Sequence, residues 1–201
     1  MSLWPIGVGS AVVSAWLAWD VSLAGLVLPA RELGEFAVAA TIGKVPFHLS
    51  SLLVSRSVLE SAWGSGSVRR LRRLIAGLGL AVVLGAATVG GAVLHAFGVP
   101  MSPPYLLGGY AAAATLLALL SFELGRSGAA GRHVWPAAAA SLGLWTLAVA
   151  TLRPGVAELL ALLLAALVMA LGAVLTASRR RGPPWDMAGM VTDAPVDIRR
   201  A

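Results

Sequence analysis

AELLALLLAALVMALGAVLTASRRR, residues 157–181, decides the class of this fold. Between Leu159 and Leu175 no side chain carries a polar group, and the run then stops on Arg179, Arg180 and Arg181. A helix needs roughly 20 residues to cross a hydrocarbon core of about 30 Å, and cationic side chains gather at the cytoplasmic ends of such spans. This run occupies about 155–177, and five more of its kind precede it, at about 3–29, 34–58, 74–97, 104–124 and 134–152. The sequence therefore predicts an all-α integral membrane bundle of six transmembrane helices. The uniform apolarity of the last run predicts a helix that faces lipid on most sides.

The arginines orient the bundle. Arg56, Arg69, Arg70, Arg72 and Arg73 separate runs two and three, Arg126 and Arg132 separate runs four and five, and three arginines follow run six. The alternate gaps hold only Arg31 and Arg153, so ten basic residues stand against two. By the positive-inside rule both ends are cytoplasmic, in a multi-pass protein of the cell inner (plasma) membrane. A mean hydropathy of +0.85, with 58% hydrophobic and 12% charged residues, excludes a soluble globular class. The net charge of +6 is accounted for by the cytoplasmic flanks, so membrane lipid is the expected partner and nucleic acid is not. Run one has no basic leader and continues too far for a cleaved signal, which predicts a retained helix. Residues 1–181 form one six-span domain, and residues 182–201, broken by Pro183, Pro184 and Pro195, read as a disordered cytoplasmic tail.

Punctuation between the runs gives further expectations. Pro29 ends run one, and ARELGE, residues 30–35, reads as a short polar outer turn. Pro46 lacks an amide hydrogen and should kink run two about one turn before itself. WGSGSVRRLRRL, residues 63–74, reads as the first cytoplasmic loop, with Arg69, Arg70, Arg72 and Arg73 setting topology and able to attract anionic headgroups. Gly64-Ser65-Gly66-Ser67 within it fits a flexible linker better than a nucleophile elbow. Gly77, Ala81 and Gly85 form a small-residue face suited to close helix contact. Glu123 and Arg126, three apart, form an interfacial pair. With no cysteine, no histidine pair at metal-ligand spacing and no catalytic constellation, the sequence points away from an enzyme and implies no cofactor and no metal.

Two charges lie inside the runs. Asp20 stands twelve residues before Glu32, the centre of the expected outer turn, and Lys44 twelve after it. At about 1.5 Å per residue both fall roughly 18 Å below the turn, near the bilayer midplane, where an unpaired ion costs at least about 2.5–3.5 kcal/mol. Two readings remain open: a water-accessible cavity that binds substrate or a coupling ion, and an ion pair that locks two helices. Lys44, His48, Ser51 and Ser55 share one helical face, a polar stripe expected to point into protein or a cavity.

The stretch from Asp20 to Glu60 resembles one region of the polysaccharide exporters in the multidrug, oligosaccharidyl-lipid and polysaccharide exporter superfamily, which includes the Wzx-type flippases. The features that carry it are the Asp20-Val21 step, Gly34-Glu35-Phe36 at the start of an Ala-rich helix, and Gly43-Lys44-Val45-Pro46. The resemblance implies the second six-helix lobe of such a transporter, moving a lipid-linked saccharide by alternating access, with Asp20 and Lys44 lining the cavity. A family member is about twice this length, so the first lobe is missing. This implies a homodimer, a separate first-lobe protein as partner, a truncated product or a relative that no longer transports. The rival expectation is a non-transporting scaffold subunit of an envelope polysaccharide assembly complex.

Overall fold

The computed structural model describes residues 4–51, 65–96, 105–129 and 132–180, and all regular structure among them is helical. Helix α1 is Trp4–Val27, α2 is Ala30–Gly43 and α3 covers residues 45–51. Helix α4 is Ser65–Gly85, and a π-helical turn, Ala86–Gly90, joins it to α5, Gly91–Ala96. Helices α6, Tyr105–Ala129, α7, Trp135–Leu152, and α8, Val156–Arg180, complete the order. Five helices are long and apolar enough to cross a membrane: Gly7–Val27, Arg69–Ala96, Tyr105–Gly128, Trp135–Leu152 and Val156–Ser178. That is the pattern of a multi-pass membrane protein. The second expected run, 34–58, is divided at Lys44, and its part beyond Ser51, like the tail 182–201, lies outside the described residues.

Helices α1, α6, α8 and α7 pack in a closed ring, each against the next. Helix α2 lies in the groove between α1 and α6, and α4 packs on α6. The inner stripe of α1 is Val13, Trp16, Asp20 and the adjacent Leu23 and Ala24, one step of three or four per turn, so a carboxylate sits in line with the core. Trp16 stacks on Trp145 of α7 with ring centroids 5.6 Å apart. In lipid, apolar burial does not drive helices together; close van der Waals contact does, and small residues permit it. A Cβ on Gly43 would lie 2.9 Å from the Tyr110 ring, and one on Gly79 would lie 2.1 Å from Thr115 Cγ2. Glycine thus brings α2 and α4 onto α6.

Three expectations are corrected. The polar segment 30–35 is the first turn of α2, not a loop. Pro29 precedes it in extended conformation (φ −59°, ψ 153°), Glu32 sits at the positive end of the helix, and Arg31 pairs with Glu35 at 3.5 Å. The basic segment is helical from Ser65 onward, because Leu71 and Ile75 recur at helical spacing and dock on the core; Ser65, Gly66 and Ser67 are therefore not linker. The small-residue face Gly77, Ala81 and Gly85 points outward, and the close contacts use Gly79 and Gly90 instead, two and five residues out of phase with Gly77 and Gly85. Helix α8 buries one stripe, Leu159, Leu163, Ala166, Leu167, Ala170 and Val174, against α6 and α7, and its other sides point outward, as its uniform apolarity predicts.

Candidate functional site

Lys44 occupies the junction of α2 and α3. Pro46 offers no N–H to the carbonyl of Ile42, and the backbone yields at Lys44 (φ −75°, ψ −9°), two residues ahead of the proline rather than a full turn. The ladder is not lost, since Lys44 N–H donates to Ala40 O and His48 N–H donates to Lys44 O, both at 3.1 Å. The bend aims the lysine at α1. Its Nζ donates to the Leu17 carbonyl at 2.6 Å and to Asp20 Oδ1 at 3.2 Å. Asp20 Oδ1 also accepts the Val21 N–H at 2.6 Å, and the Tyr110 ring of α6 lies 5.9 Å from the ammonium, with Phe36 edge-on to it. Asp20 is 3% exposed, so a full carboxylate is enclosed by three helices.

The pair meets for a reason other than equal depth. With the turn at Pro29, Asp20 lies nine residues before it and Lys44 fifteen after it, a mismatch of about 9 Å along the helices. Side chains on a helix lean toward its N-terminus. In α1 that direction leads away from the turn, and in the antiparallel α2 it leads toward the turn. The two side chains therefore converge, and the long lysine stem closes the gap.

The rest of the expected stripe does not join them. His48 is exposed beside Phe47, Ser51 is half-buried with its hydroxyl donating to the His48 carbonyl at 2.7 Å, and Ser55 lies outside the described residues. The inward face is Gly43, Pro46, Phe47 and Ser50, one residue out of phase with the stripe and so about 100° round the helix. Burying Pro46 and Phe47 wins over burying an imidazole, which would need a partner.

A second charged cluster was only half legible. Glu123 of α6, 2% exposed, accepts Arg72 Nε of α4 at 2.9 Å. Its other oxygen accepts Arg126 Nη2 at 2.9 Å and Nε at 3.2 Å. Spacing alone predicts the Glu123–Arg126 pair; Arg72, in a segment whose composition suggests a loop, carries no such signal. Arg69, Arg70 and Arg73 are exposed, and with Leu74 they line an open cleft of about 400 Å³. Arg132 donates to the Ser178 carbonyl at 2.7 Å, satisfying a free acceptor in the last turns of α8. At the opposite end, Glu32, Glu35, Tyr105 and Glu158 line a cleft of about 440 Å³.

No protein-family model, curated protein or solved structure matches the chain. The resemblance of residues 20–60 to the polysaccharide exporters thus rests on those residues alone.

Proposed function

We propose that this chain is a six-span protein of the inner membrane, both ends cytoplasmic, that works as a non-transporting scaffold subunit of an envelope polysaccharide assembly complex. One observation carries the scaffold half: Asp20 and Lys44, charges within apolar helices, bond to each other and to the backbone of α1, with the Tyr110 ring of α6 5.9 Å from the ammonium. That arrangement ties α2 to α1 beside α6. A transport site would instead leave its charges free to exchange partners with substrate or ion. The polysaccharide context rests on the resemblance of residues 20–60. The sixth span is α2 with α3: residues 30–51 make 22 helical or turn residues, about 33 Å at the helical rise, enough to cross with a kink. The orientation rests on the ten-to-two arginine asymmetry.

The absence of cysteine from the sequence makes the test direct. Single cysteines at Gly66, Pro100, Gly128 and Ala201 should label with an impermeant maleimide as inside, outside, inside, inside. Leu17→Cys sits beside the ion pair and should stay unlabelled in intact membranes, reacting only after denaturation. Rapid one-sided labelling of Leu17→Cys in the folded protein would show water at the pair and return the reading to one lobe of a flippase.

A further inference from the structure

We propose that the cytoplasmic end of α4 binds one anionic phospholipid from the inner leaflet, its phosphate on Arg69, Arg70 and Arg73 and an acyl chain along Gly77, Ala81 and Gly85. This rests on the membrane reading and the orientation above, and is independent of the scaffold role.

Helix α4 has two opposite faces. On one, Arg72, Ile75 and Gly79 turn toward α6: Arg72 is bonded to Glu123, Ile75 is fully buried, and Gly79 touches Thr115. On the other, Arg69, Arg70 and Arg73 are exposed, and none forms an ion pair or hydrogen bond among the described residues. The basic segment is thus divided by its helical phase: one arginine is spent on protein, and three guanidinium groups surround an open cleft. Their planar, multi-donor geometry matches the oxygens of a phosphate.

The same outward face continues into the apolar region. Arg73 to Gly77, Gly77 to Ala81 and Ala81 to Gly85 are steps of four, one shallow track along the helix. A Cβ on Gly77 or Gly85 would meet nothing within 4 Å, so no helix among the described residues fills the track. Leu74, Leu80 and Leu84, each more than half exposed, form its walls. A polar cleft for a phosphate, followed along the same helix face by an exposed apolar track, is the shape of a headgroup joined to a chain. A second copy of this protein fits the track less well. Copies in one membrane share an orientation, so a two-fold contact here would set six unpaired arginines side by side at one depth.

The test uses the full chain, purified in mild detergent and studied by native mass spectrometry with phosphatidylglycerol, phosphatidylcholine and inorganic phosphate as probes. Wild type should retain phosphatidylglycerol at least about tenfold over phosphatidylcholine, at roughly fivefold per arginine engaged. The variant Arg69→Gln/Arg70→Gln/Arg73→Gln should lose that preference while keeping its thermal stability, since the three exposed side chains form no ion pair or hydrogen bond among the described residues. Gly77→Leu/Ala81→Leu, with the arginines intact, should also lose the lipid. Equal retention of the two lipids overturns the proposal. So does displacement of phosphatidylglycerol by millimolar phosphate, which would mean a free-anion site. A dimer abolished by Gly77→Leu/Ala81→Leu would give the track to a second copy instead. Recovery of the chain from the soluble fraction without detergent is a separate outcome, which would sink the membrane reading itself.

Discussion

The Asp20–Lys44 pair and the Glu123–Arg72–Arg126 cluster each tie one helix to another, yet their surroundings differ. Asp20 and Lys44 have side chains 4% and 17% exposed, whereas the arginines around Glu123 are 42% and 30% exposed. The first site has one cation for one anion and draws its remaining bonds from backbone groups of α1. The second has two cations for one anion and leaves both partly exposed. A sealed pair must be complete to be tolerated; an open cluster can lose a member and find water or phosphate in its place.

The difference predicts the largest effect at Lys44. Lys44→Met leaves a buried carboxylate with no counter-ion and should destabilise the folded protein by about 3–5 kcal/mol. Asp20→Leu should cost less, about 1–3 kcal/mol, because the lysine keeps the Leu17 carbonyl and has a long stem on which to retreat. Asp20→Leu/Lys44→Met should return to within about 1 kcal/mol of wild type, since replacing both members of a buried pair by apolar groups is often neutral. The three values come from unfolding in mixed detergent micelles. Additive losses in the double variant would show that the two residues do not act as a pair.

Glu123 comes next. Glu123→Leu strands two arginines, but both are partly exposed and can turn outward, so the expected loss is about 1–2 kcal/mol, below that of Lys44→Met. Arg126→Ala should cost less again, since Arg72 still satisfies the carboxylate. Equal losses at Lys44 and Glu123 would remove the contrast between a sealed and an open site.

The sealed site was the more legible of the two. An aspartate and a lysine within apolar runs are conspicuous because they are costly there, and that cost alone implies a partner. Their equal distance from Glu32 was a misleading route to a sound pairing. The polarity of the ARELGE segment suggests a turn, although Glu, Arg and Leu are good helix formers behind an N-terminal proline. Tyr110 sent no signal, since an aromatic residue in an apolar run is ordinary and its place beside Lys44 depends on how α6 crosses α2. Arg72 was hidden differently. Topology rules count arginines without distinguishing them, and only once residues 65–74 are helical does phase separate Arg72 from Arg69, Arg70 and Arg73. The stripe Lys44, His48, Ser51 failed because periodicity gives two adjacent faces, and Pro46 and Phe47 claimed the inner one.

The smallest expected effect is the response to salt, and it probes the same contrast through the coupling energy at each site. Screening acts on charges that ions can approach: the Debye length falls from about 10 Å at 0.1 M to about 3 Å at 1 M. The arms of the Glu123 cluster reach the water side, so its coupling energy, from Arg126→Ala, Glu123→Leu and the double variant, should drop by up to about 0.5 kcal/mol between those concentrations. The Asp20–Lys44 coupling should not move, because its carboxylate is enclosed by α1, α2 and α6 and no counter-ion can stand beside it. Both couplings are read from unfolding midpoints at the two salt concentrations in one nonionic detergent. If the Asp20–Lys44 coupling falls as well, ions reach the centre of the bundle, and the pair belongs to a path through the protein rather than to its frame.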